Sequence, residues 1–298
     1  QNTMEHLANF DALTDLPNRA CFMEILKVAL ANAQRESSNI SIMFIDLDGF
    51  KEVNDNYGHN VGDQLLIDVS KRMKKCLRKG DVLSRLGGDE FLILLPNDPA
   101  DQLLATIAQR IIDELSKPLS ISSWSIKISA SIGVTKANDS NFDLIKIMSN
   151  ADIAMYNSKV NGKGTYTTFA PNMMEKSQRR FHIVNSISHA LKHDDFHLVY
   201  QGKVDKNQNI IGYETLIRWQ HQDYGFISPA EFIPLAEQSG NVLLITQWVI
   251  RRLCQELNDL LSVNSQAVVV SVNLSANDLK HHQLIDFIKL QFNEYKVD

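Results

Sequence analysis

The fold of the first half of this chain is decided by the stretch Val82-Leu83-Ser84-Arg85-Leu86-Gly87-Gly88-Asp89-Glu90-Phe91-Leu92-Ile93-Leu94-Leu95. Two apolar runs flank a glycine pair, and this pattern predicts a β-hairpin in which Gly87 and Gly88 supply the turn. Asp89 and Glu90 follow the glycines directly, so the turn carries two carboxylates. Such a pair is a candidate site for chemistry that needs hard oxygen ligands.

Outward from the hairpin, the sequence alternates amphipathic helices with short strands. The β-branched and aromatic run at 40–45 predicts a buried strand that delivers Asp46 at its C-terminal end. Alternation at 124–134 predicts a strand with one exposed face. We expect one α+β domain over residues 1–170. Apolar residues at helical spacing predict its helices, at 18–30, 61–77, 103–115 and 142–159.

The second half, 171–298, begins after Ala170-Pro171-Asn172, which we interpret as a domain boundary. Strand-like runs at 196–200, 210–219 and 267–273 alternate with helical spacing at 181–191, 230–237 and 242–261. This alternation is typical of βαβ units and predicts a parallel sheet. Three strands are too few to close a barrel, so we expect exposed parallel strand edges.

Composition excludes several classes of function. A net charge of −5 and a pI near 6.0 give no positive field that would draw the whole protein onto nucleic acid or acidic lipid. No apolar run approaches the ~18 to 20 residues of a membrane span. Cys21, Cys76 and Cys254 are too widely spaced for a CxxC pair, so we expect a cytoplasmic protein. Because the sequence starts at Gln1 rather than Met, we expect a longer parent protein with an upstream sensor, which could be tethered to a membrane elsewhere.

The carboxylates of Asp46, Asp89 and Glu90 converge if their strands are neighbours in one sheet. Transfer of a nucleotidyl group needs a metal ion that neutralises a triphosphate and activates a hydroxyl. Mg²⁺, or Mn²⁺ in its place, is commonly held by one or two carboxylates together with substrate phosphates. Taken one at a time, these acids are more typical of solvated turn residues. The motifs around them decide between the two interpretations.

Five motifs occur in a fixed order and together resemble the GGDEF diguanylate cyclase domain over residues 5–170. The resemblance implies a nucleotide-cyclase-like α+β fold with a central antiparallel sheet flanked by helices. It also implies that two such domains face each other and condense two GTP into cyclic di-GMP, with release of pyrophosphate. The motifs are Asp11 to Arg19, Ile45 to Asp55, Gly58-His59, Gly62-Asp63 and Leu86 to Phe91.

The resemblance also implies roles for matching positions. Asp46, Asp89, Glu90 and the backbone carbonyl of Leu47 would hold the metal. Asp89 or Glu90 would assist deprotonation of the 3′-hydroxyl. Upstream, Arg78-Lys79-Gly80-Asp81 matches the family's inhibitory site, at which Arg78 and Asp81 would bind the product, although both are also ordinary residues for a turn at the end of a helix.

The substrate-binding positions follow from the same resemblance. Asn54 and Asp63 would read the guanine edge, for which an amide and a carboxylate are suited. Gly87 and Gly88 would let phosphate oxygens approach the backbone. His59 is as well explained by a capping role as by a phosphate contact. Lys159 and Lys163 match a phosphate-binding pair, but their i, i+4 spacing also fits a solvated helix face.

Motifs in the second half resemble the opening of an EAL cyclic di-GMP phosphodiesterase, a TIM-like barrel. By position, Glu214 and Asn273 would be metal ligands and Arg218 would contact a phosphate. Thr215 and Gly202 depart from the family pattern without removing a ligand. The later ligands of the family have no counterpart before Asp298, so we do not expect this chain alone to hydrolyse cyclic di-GMP. The alternative to a cyclase is a domain that binds GTP or cyclic di-GMP and controls a phosphodiesterase.

Overall fold

Strand β1, Ser41–Asp48, runs through the centre of a five-stranded sheet in the order β2-β3-β1-β6-β7. The computed structural model describes residues 6, 8–97, 100–263 and 268–297. Pairing within the sheet is antiparallel except between β6 and β7, which are parallel. The other strands of this sheet are β2 Val82–Gly87, β3 Glu90–Leu95, β6 Ser129–Lys136 and β7 Tyr166–Thr168, while β4 Leu119–Ile121 and β5 Trp124–Ile126 form a separate hairpin.

Helices cover both faces of this sheet, because β1 is apolar on both sides. Met43 and Ile45 point into one buried cluster, whereas Ile42 and Phe44 point into the other. The predicted α+β fold, a central sheet flanked by helices, is confirmed. The helices are α1 Arg19–Arg35, α2 Phe50–Tyr57, α3 His59–Lys75, α4 Asp101–Leu115 and α5 Leu144–Val160, with a 3₁₀ turn at Ala137–Ser140.

The prediction of one half-exposed strand at 124–134 is wrong. Strand β5 ends at Ile126, and β6 is a different strand that is buried on both faces from 130 to 135. The alternation is between apolar residues and small ones, not between buried and exposed ones. At Gly133 an added Cβ would lie 2.0 Å from the carbonyl oxygen of Ala151 in α5. The small residues therefore let α5 pack directly onto the strand.

The chain divides into two compact units, Gln1–Ser177 and Gln178–Asp298, and helix α6, Asn172–Ala190, contains the division. The sequence-based boundary at 170/171 stays a prediction. The second unit has its own apolar core and a sheet in which β9 pairs with β8, β10 and β11. Its other elements are β8 Phe196–Val204, β9 Ile210–His221, β10 Gly225–Ile227, β11 Val270–Val272, α7 Pro229–Gln238, α8 Val242–Val263, α9 Gln283–Tyr295 and a 3₁₀ turn at Asp278–Lys280.

The expectation that all strands of this unit are parallel is wrong for β8 and β9, which pair antiparallel. The loop between them is too short for a crossover connection. Asp205 closes that loop, since its carboxylate accepts hydrogen bonds from the backbone N–H groups of Asn207 and Asn209. Strand β11 is parallel to β9, as expected for the start of a barrel. The predicted start of that strand at Ala267 lies outside the described residues. No helix in the described part of the chain is long and apolar enough to cross a membrane.

Candidate active site

The β2–β3 turn is built by its two glycines. Gly87 and Gly88 have φ angles of 141° and 52°, which other residues rarely adopt, and a Cβ added at either position would meet no atom within 4 Å. The turn is fixed to the neighbouring strand, because the backbone N–H of Leu47 donates to the carbonyl of Asp89 over 3.3 Å. The register of β1 and β3 sets Asp46 opposite Glu90. The structure thus brings together Asp46, Leu47, Asp89 and Glu90.

Asp46 is a buried carboxylate in an acidic setting. Its side chain is 10% exposed, and its Oδ2 accepts from Nζ of Lys159 over 2.7 Å. Burial raises the pKa of Asp46 to about 6, against the opposing contact with Lys159 and with help from the charge of Asp89. A cation beside this carboxylate would offset both the cost of burying its negative charge and its repulsion by Asp89.

Glu90 shares this environment. Burial raises its pKa, and the negative charges of Asp152 and Asp89 raise it further, whereas Lys159 and Arg19 oppose the rise. Asp152 on α5 and Arg19 at the start of α1 are site residues that the sequence analysis missed. Asp152 is the one acid within α5, and nothing in the local sequence indicates that it lies near the turn.

The donors at the turn fit a divalent cation of the magnesium type. They are carboxylates and a backbone carbonyl, which are the hard oxygen ligands that this ion prefers. The described residues contain no group of three or more His, Cys, Asp or Glu arranged to hold a metal by themselves. Magnesium in proteins is commonly held by one or two carboxylates together with substrate phosphates.

Arg85 is a further site residue without an assigned role in the sequence analysis. Its guanidinium donates to both carboxylate oxygens of Asp11, over 2.9 and 3.1 Å, and its Nε and Nη2 donate to the carbonyl of Gly88. Its backbone N–H also donates to the carbonyl of Pro17. Arg85 therefore joins the N-terminal motif to the glycine turn. The one signal for it in the sequence is a charge inside an apolar strand.

Asp48 has a structural role, as expected for this acid. Its carboxylate accepts from the hydroxyls of Ser129 and Ser131, each over 2.7 Å, and from the backbone N–H of Gly164 over 2.9 Å. It thereby fixes the loop after α5 to the end of β1. The same loop contains Lys163, which has a φ of 62° and an exposed side chain. Because α5 ends at Val160, the interpretation of Lys159 and Lys163 as one helix face is wrong.

The predicted guanine-reading residues gather around the junction of α2 and α3. Asn54 lies in α2, and His59 and the exposed Asp63 lie in the first turns of α3, with Gly58 between the helices. A Cβ at Gly62 would lie 2.0 Å from Oδ1 of Asn54, so the absence of a side chain at position 62 leaves space for that amide. His59 is exposed, and its roles as cap or phosphate contact both stay predictions.

Arg78 and Asp81 form a tight turn after α3. The backbone N–H of Arg78 donates to the Asp81 carboxylate over 2.8 Å, and the N–H of Asp81 returns to the Arg78 carbonyl. The side chain of Asp81 is thus partly committed to the turn itself. The two residues also line a cavity of about 220 Å³ together with Lys79, Gly80, Pro96, Asn97, Ala100 and Leu103. Their inhibitory role stays a prediction.

In the second unit, two of the three predicted site residues are in contact. Nδ2 of Asn273 donates to Oε1 of Glu214 over 2.8 Å, so the amide oxygen of Asn273 and the second oxygen of Glu214 stay available to a cation. Arg218 lies on the same strand as Glu214, on the same face of β9. Its Nη1 donates to the carbonyl of Ile217, and among the described residues its guanidinium forms no hydrogen bond with Glu214 or Asn273.

Curated relatives match almost the whole chain. The bifunctional diguanylate cyclase/cyclic di-GMP phosphodiesterase MucR of Pseudomonas aeruginosa is 38% identical over 285 residues, which are 95% of this chain and 41% of MucR. The cyclic di-GMP phosphodiesterase PdeR of Escherichia coli is 33% identical over 298 residues, which are 100% of this chain and 44% of PdeR. The chain therefore spans about two fifths of the length of these relatives.

Solved structures match either part of the chain or almost all of it. The GGDEF domain of TpbB (YfiN) from Pseudomonas aeruginosa has 34% identity and a TM-score of 0.55, and the match covers 57% of this chain and 99% of that one. A Vibrio cholerae LapD structure, comprising S helix, GGDEF and EAL, covers 99% of this chain and 68% of that one with a TM-score of 0.64; at 19% identity it shows the fold alone.

The family models agree with the two compact units and with the motifs around the glycine turn. The model for the EAL domain matches residues 184–298, which contain Glu214 and Asn273. The model described as diguanylate cyclase, GGDEF domain, matches residues 8–165, which contain the β2–β3 turn and the acids of the first unit. The chain therefore belongs to the GGDEF family and carries EAL domain sequence after its GGDEF domain.

Proposed function

We propose that the first unit is a diguanylate cyclase, which condenses two GTP into cyclic di-GMP with release of pyrophosphate. The observation that carries the proposal is the meeting of Asp46, Leu47, Asp89 and Glu90 at one glycine turn. In GGDEF proteins that lack cyclase activity we would expect the sequence of this turn to be altered, whereas here Gly87-Gly88-Asp89-Glu90-Phe91 is intact. Bound Mg²⁺ or Mn²⁺ would neutralise the triphosphate and activate the 3′-hydroxyl.

The residues of the chain then have distinct tasks. Asp46, Asp89 and the Leu47 carbonyl supply oxygens for the cation. Glu90, whose pKa is raised by burial and by neighbouring acids, is suited to accept the proton of the 3′-hydroxyl. Gly87 and Gly88 leave open space in which phosphate can approach the backbone.

The base is recognised at the α2–α3 junction. Asp63 is exposed and can accept from the N1 and N2 groups of guanine, and the Asn54 amide can both donate and accept. The product is symmetrical and each unit has one such junction, so we propose that two copies face each other with one GTP each. Lys159 and Lys163 would contribute positive charge to the phosphates.

The relatives favour a second candidate. PdeR is named a phosphodiesterase, and MucR is named as bifunctional. The GGDEF unit would in that case bind GTP or cyclic di-GMP and regulate an EAL phosphodiesterase, in which Glu214 and Asn273 hold a metal and Arg218 contacts a phosphate. The hydrogen bond between Glu214 and Asn273 supports this part of the proposal, because the two predicted ligands are in contact.

One experiment separates the candidates. The purified chain is incubated with GTP and Mg²⁺ or Mn²⁺, cyclic di-GMP is measured by mass spectrometry, and GTP binding is measured by calorimetry. We expect product from the unaltered chain and a loss of at least 100-fold in an Asp89→Asn, Glu90→Gln double variant, because removal of a catalytic acid typically costs 10²–10⁴-fold. Asp15→Asn is the control, since this acid is 79% exposed and pairs with His6 rather than with a residue of the β2–β3 turn. Unchanged turnover in the double variant contradicts the cyclase, and GTP binding without turnover supports the regulatory domain.

A further inference from the structure

We infer that Lys159 is the resident counter-ion of the metal site, and that it makes the binding of metal depend on the binding of nucleotide. This inference rests on the proposed cyclase and concerns the order of events in its site. With no nucleotide present, the ammonium of Lys159 holds Asp46 and opposes a divalent cation there. When a triphosphate binds, its oxygens provide another partner for Lys159, and Asp46 becomes available to the metal.

The contact itself is the first step of the argument. Nζ of Lys159 lies 2.7 Å from Oδ2 of Asp46, and the two side chains are 32% and 10% exposed. A carboxylate so far removed from water needs a positive partner, because an unpaired buried charge is strongly unfavourable. Asp89 and Asp48 add negative charge around Asp46 and strengthen that need. Lys159 supplies the partner while no metal is bound.

Lys159 is also able to release Asp46. Its backbone is fixed in the last turn of α5, where the hydroxyl of the preceding Ser158 donates to the Ile132 carbonyl and contacts the hydroxyl of Thr167. The ammonium is at the end of a flexible four-carbon stem and is partly exposed, so it can change partners while the helix stays in place. Compact point charges of this kind are common phosphate ligands.

Competition follows from charge. The ammonium and a divalent cation would occupy the same oxygen of Asp46, and their like charges repel at short range in a poorly solvated site. A triphosphate attracts both cations and removes the competition. The coupling is reciprocal by thermodynamic necessity: if nucleotide tightens metal binding through Lys159, metal must tighten nucleotide binding by the same factor.

The chain offers a matched control in Lys163. It follows Lys159 in the same Lys159-Val160-Asn161-Gly162-Lys163 segment, but it is exposed and forms no ion pair with a described residue. Both lysines carry the same charge in the same short segment. A difference between their variants therefore reports the direct contact with Asp46 rather than a general loss of positive charge.

The test measures Mn²⁺ binding by the electron paramagnetic resonance signal of the free ion, without any turnover. All variants carry Glu214→Gln, which removes one predicted metal ligand of the second unit. Without nucleotide, we expect Lys159→Gln to bind Mn²⁺ at least tenfold more tightly than the parent, and we expect Lys159→Arg and Lys163→Gln to stay within about twofold. With 3′-deoxy-GTP, which has no 3′-hydroxyl to react, the Mn²⁺ bound by the nucleotide alone is measured without protein and subtracted. The parent should then gain affinity and approach the Lys159→Gln variant.

Two results would overturn the inference. If Lys159→Gln binds Mn²⁺ as tightly as the parent or more weakly, the inference about Lys159 is overturned, and the cyclase proposal still stands. Absence of Mn²⁺ binding in every variant, even with 3′-deoxy-GTP, would overturn the cyclase proposal and this inference with it. Circular dichroism establishes whether each variant is folded. If Lys159→Gln does not fold, Lys159→Met serves as a second neutral variant.

Discussion

Replacing Asp11 by Asn should destabilise the first unit far more than its position in a surface motif suggests. Asp11 forms an ion pair with Arg85 through both oxygens, and the side chains are 20% and 10% exposed. The substitution keeps the shape of the side chain and an oxygen that can accept from Thr14, but it removes the negative charge. Arg85 then stays buried without a counter-ion.

The magnitude follows from the degree of burial. Breaking a fully buried pair by removing one partner costs ~3–5 kcal/mol, and an exposed pair contributes ~0–1 kcal/mol. This pair lies close to the buried limit but retains some solvent access, so we expect a loss of about 2–3 kcal/mol. Asp15→Asn is the control in the same loop. Asp15 is 79% exposed and contacts the half-exposed His6, so its loss should have little measurable effect.

Hydrogen exchange measured by mass spectrometry is the suitable assay, because it follows each unit of a two-unit chain separately. Amides in the buried strand β3 exchange through unfolding of the unit, so a loss of 2–3 kcal/mol should speed their exchange about 30- to 150-fold. Exchange in β9 of the second unit should not change. If β3 in Asp11→Asn exchanges within twofold of the parent, the ion pair contributes nothing and the reasoning about Arg85 is refuted.

Two further predictions concern Asp11 and the Gly62–Asn54 contact. Burial alone would raise the pKa of Asp11, but the hydrogen bonds from Thr14 and Arg85 and the charge of Arg85 outweigh it and lower this pKa below the ordinary 3.8. The stabilisation that Asp11 gives is therefore present above pH 3.8 and is lost as the pH falls through the pKa of the folded protein. The difference in exchange rate between the parent and Asp11→Asn should shrink at about pH 3, and a constant difference would contradict the assignment. Gly62→Ala should raise the KM for GTP about tenfold with a smaller effect on kcat, because the new Cβ would lie 2.0 Å from Oδ1 of Asn54 and displace its amide. Gly202→Ala is the control, since its Cβ would meet nothing closer than 4.0 Å. Equal KM values for the two variants would contradict a role for Asn54 in guanine binding.

Features that depend on local pattern could be predicted from the sequence. The β2–β3 turn follows from two glycines between apolar runs, and helix α1 follows from its Asn18 cap, whose side chain accepts from the N–H of Cys21. The position of Asp46 beside Glu90 required only that two apolar strands be neighbours. The acids at the turn could therefore be grouped from the pattern of strands alone.

Features that depend on contacts distant in the chain could not be predicted. Arg85 and Asp11 are 74 positions apart, and a charge in a strand does not reveal its partner. The faces of β6 could not be assigned because Ser131, Gly133 and Thr135 are typical of an exposed face, although here all three are buried and Gly133 makes room for α5. The direction of β8 depended on the length of a loop rather than on the strands themselves.

Arg85 and Lys159 are two of the cations near the glycine turn, and they differ in a way that fits the proposed reaction. Arg85 is buried, and its partners, the Asp11 carboxylate and the Gly88 carbonyl, are both parts of the protein. A guanidinium held by several fixed acceptors has no reason to move, so it keeps the turn in one conformation. Lys159 is partly exposed and makes an ion pair with Oδ2 of Asp46, an oxygen that the proposed metal would also need. The proposed site would therefore combine a permanent positive charge that maintains geometry with an exchangeable one that responds to ligand, and substitutions at the two positions should separate stability from metal affinity.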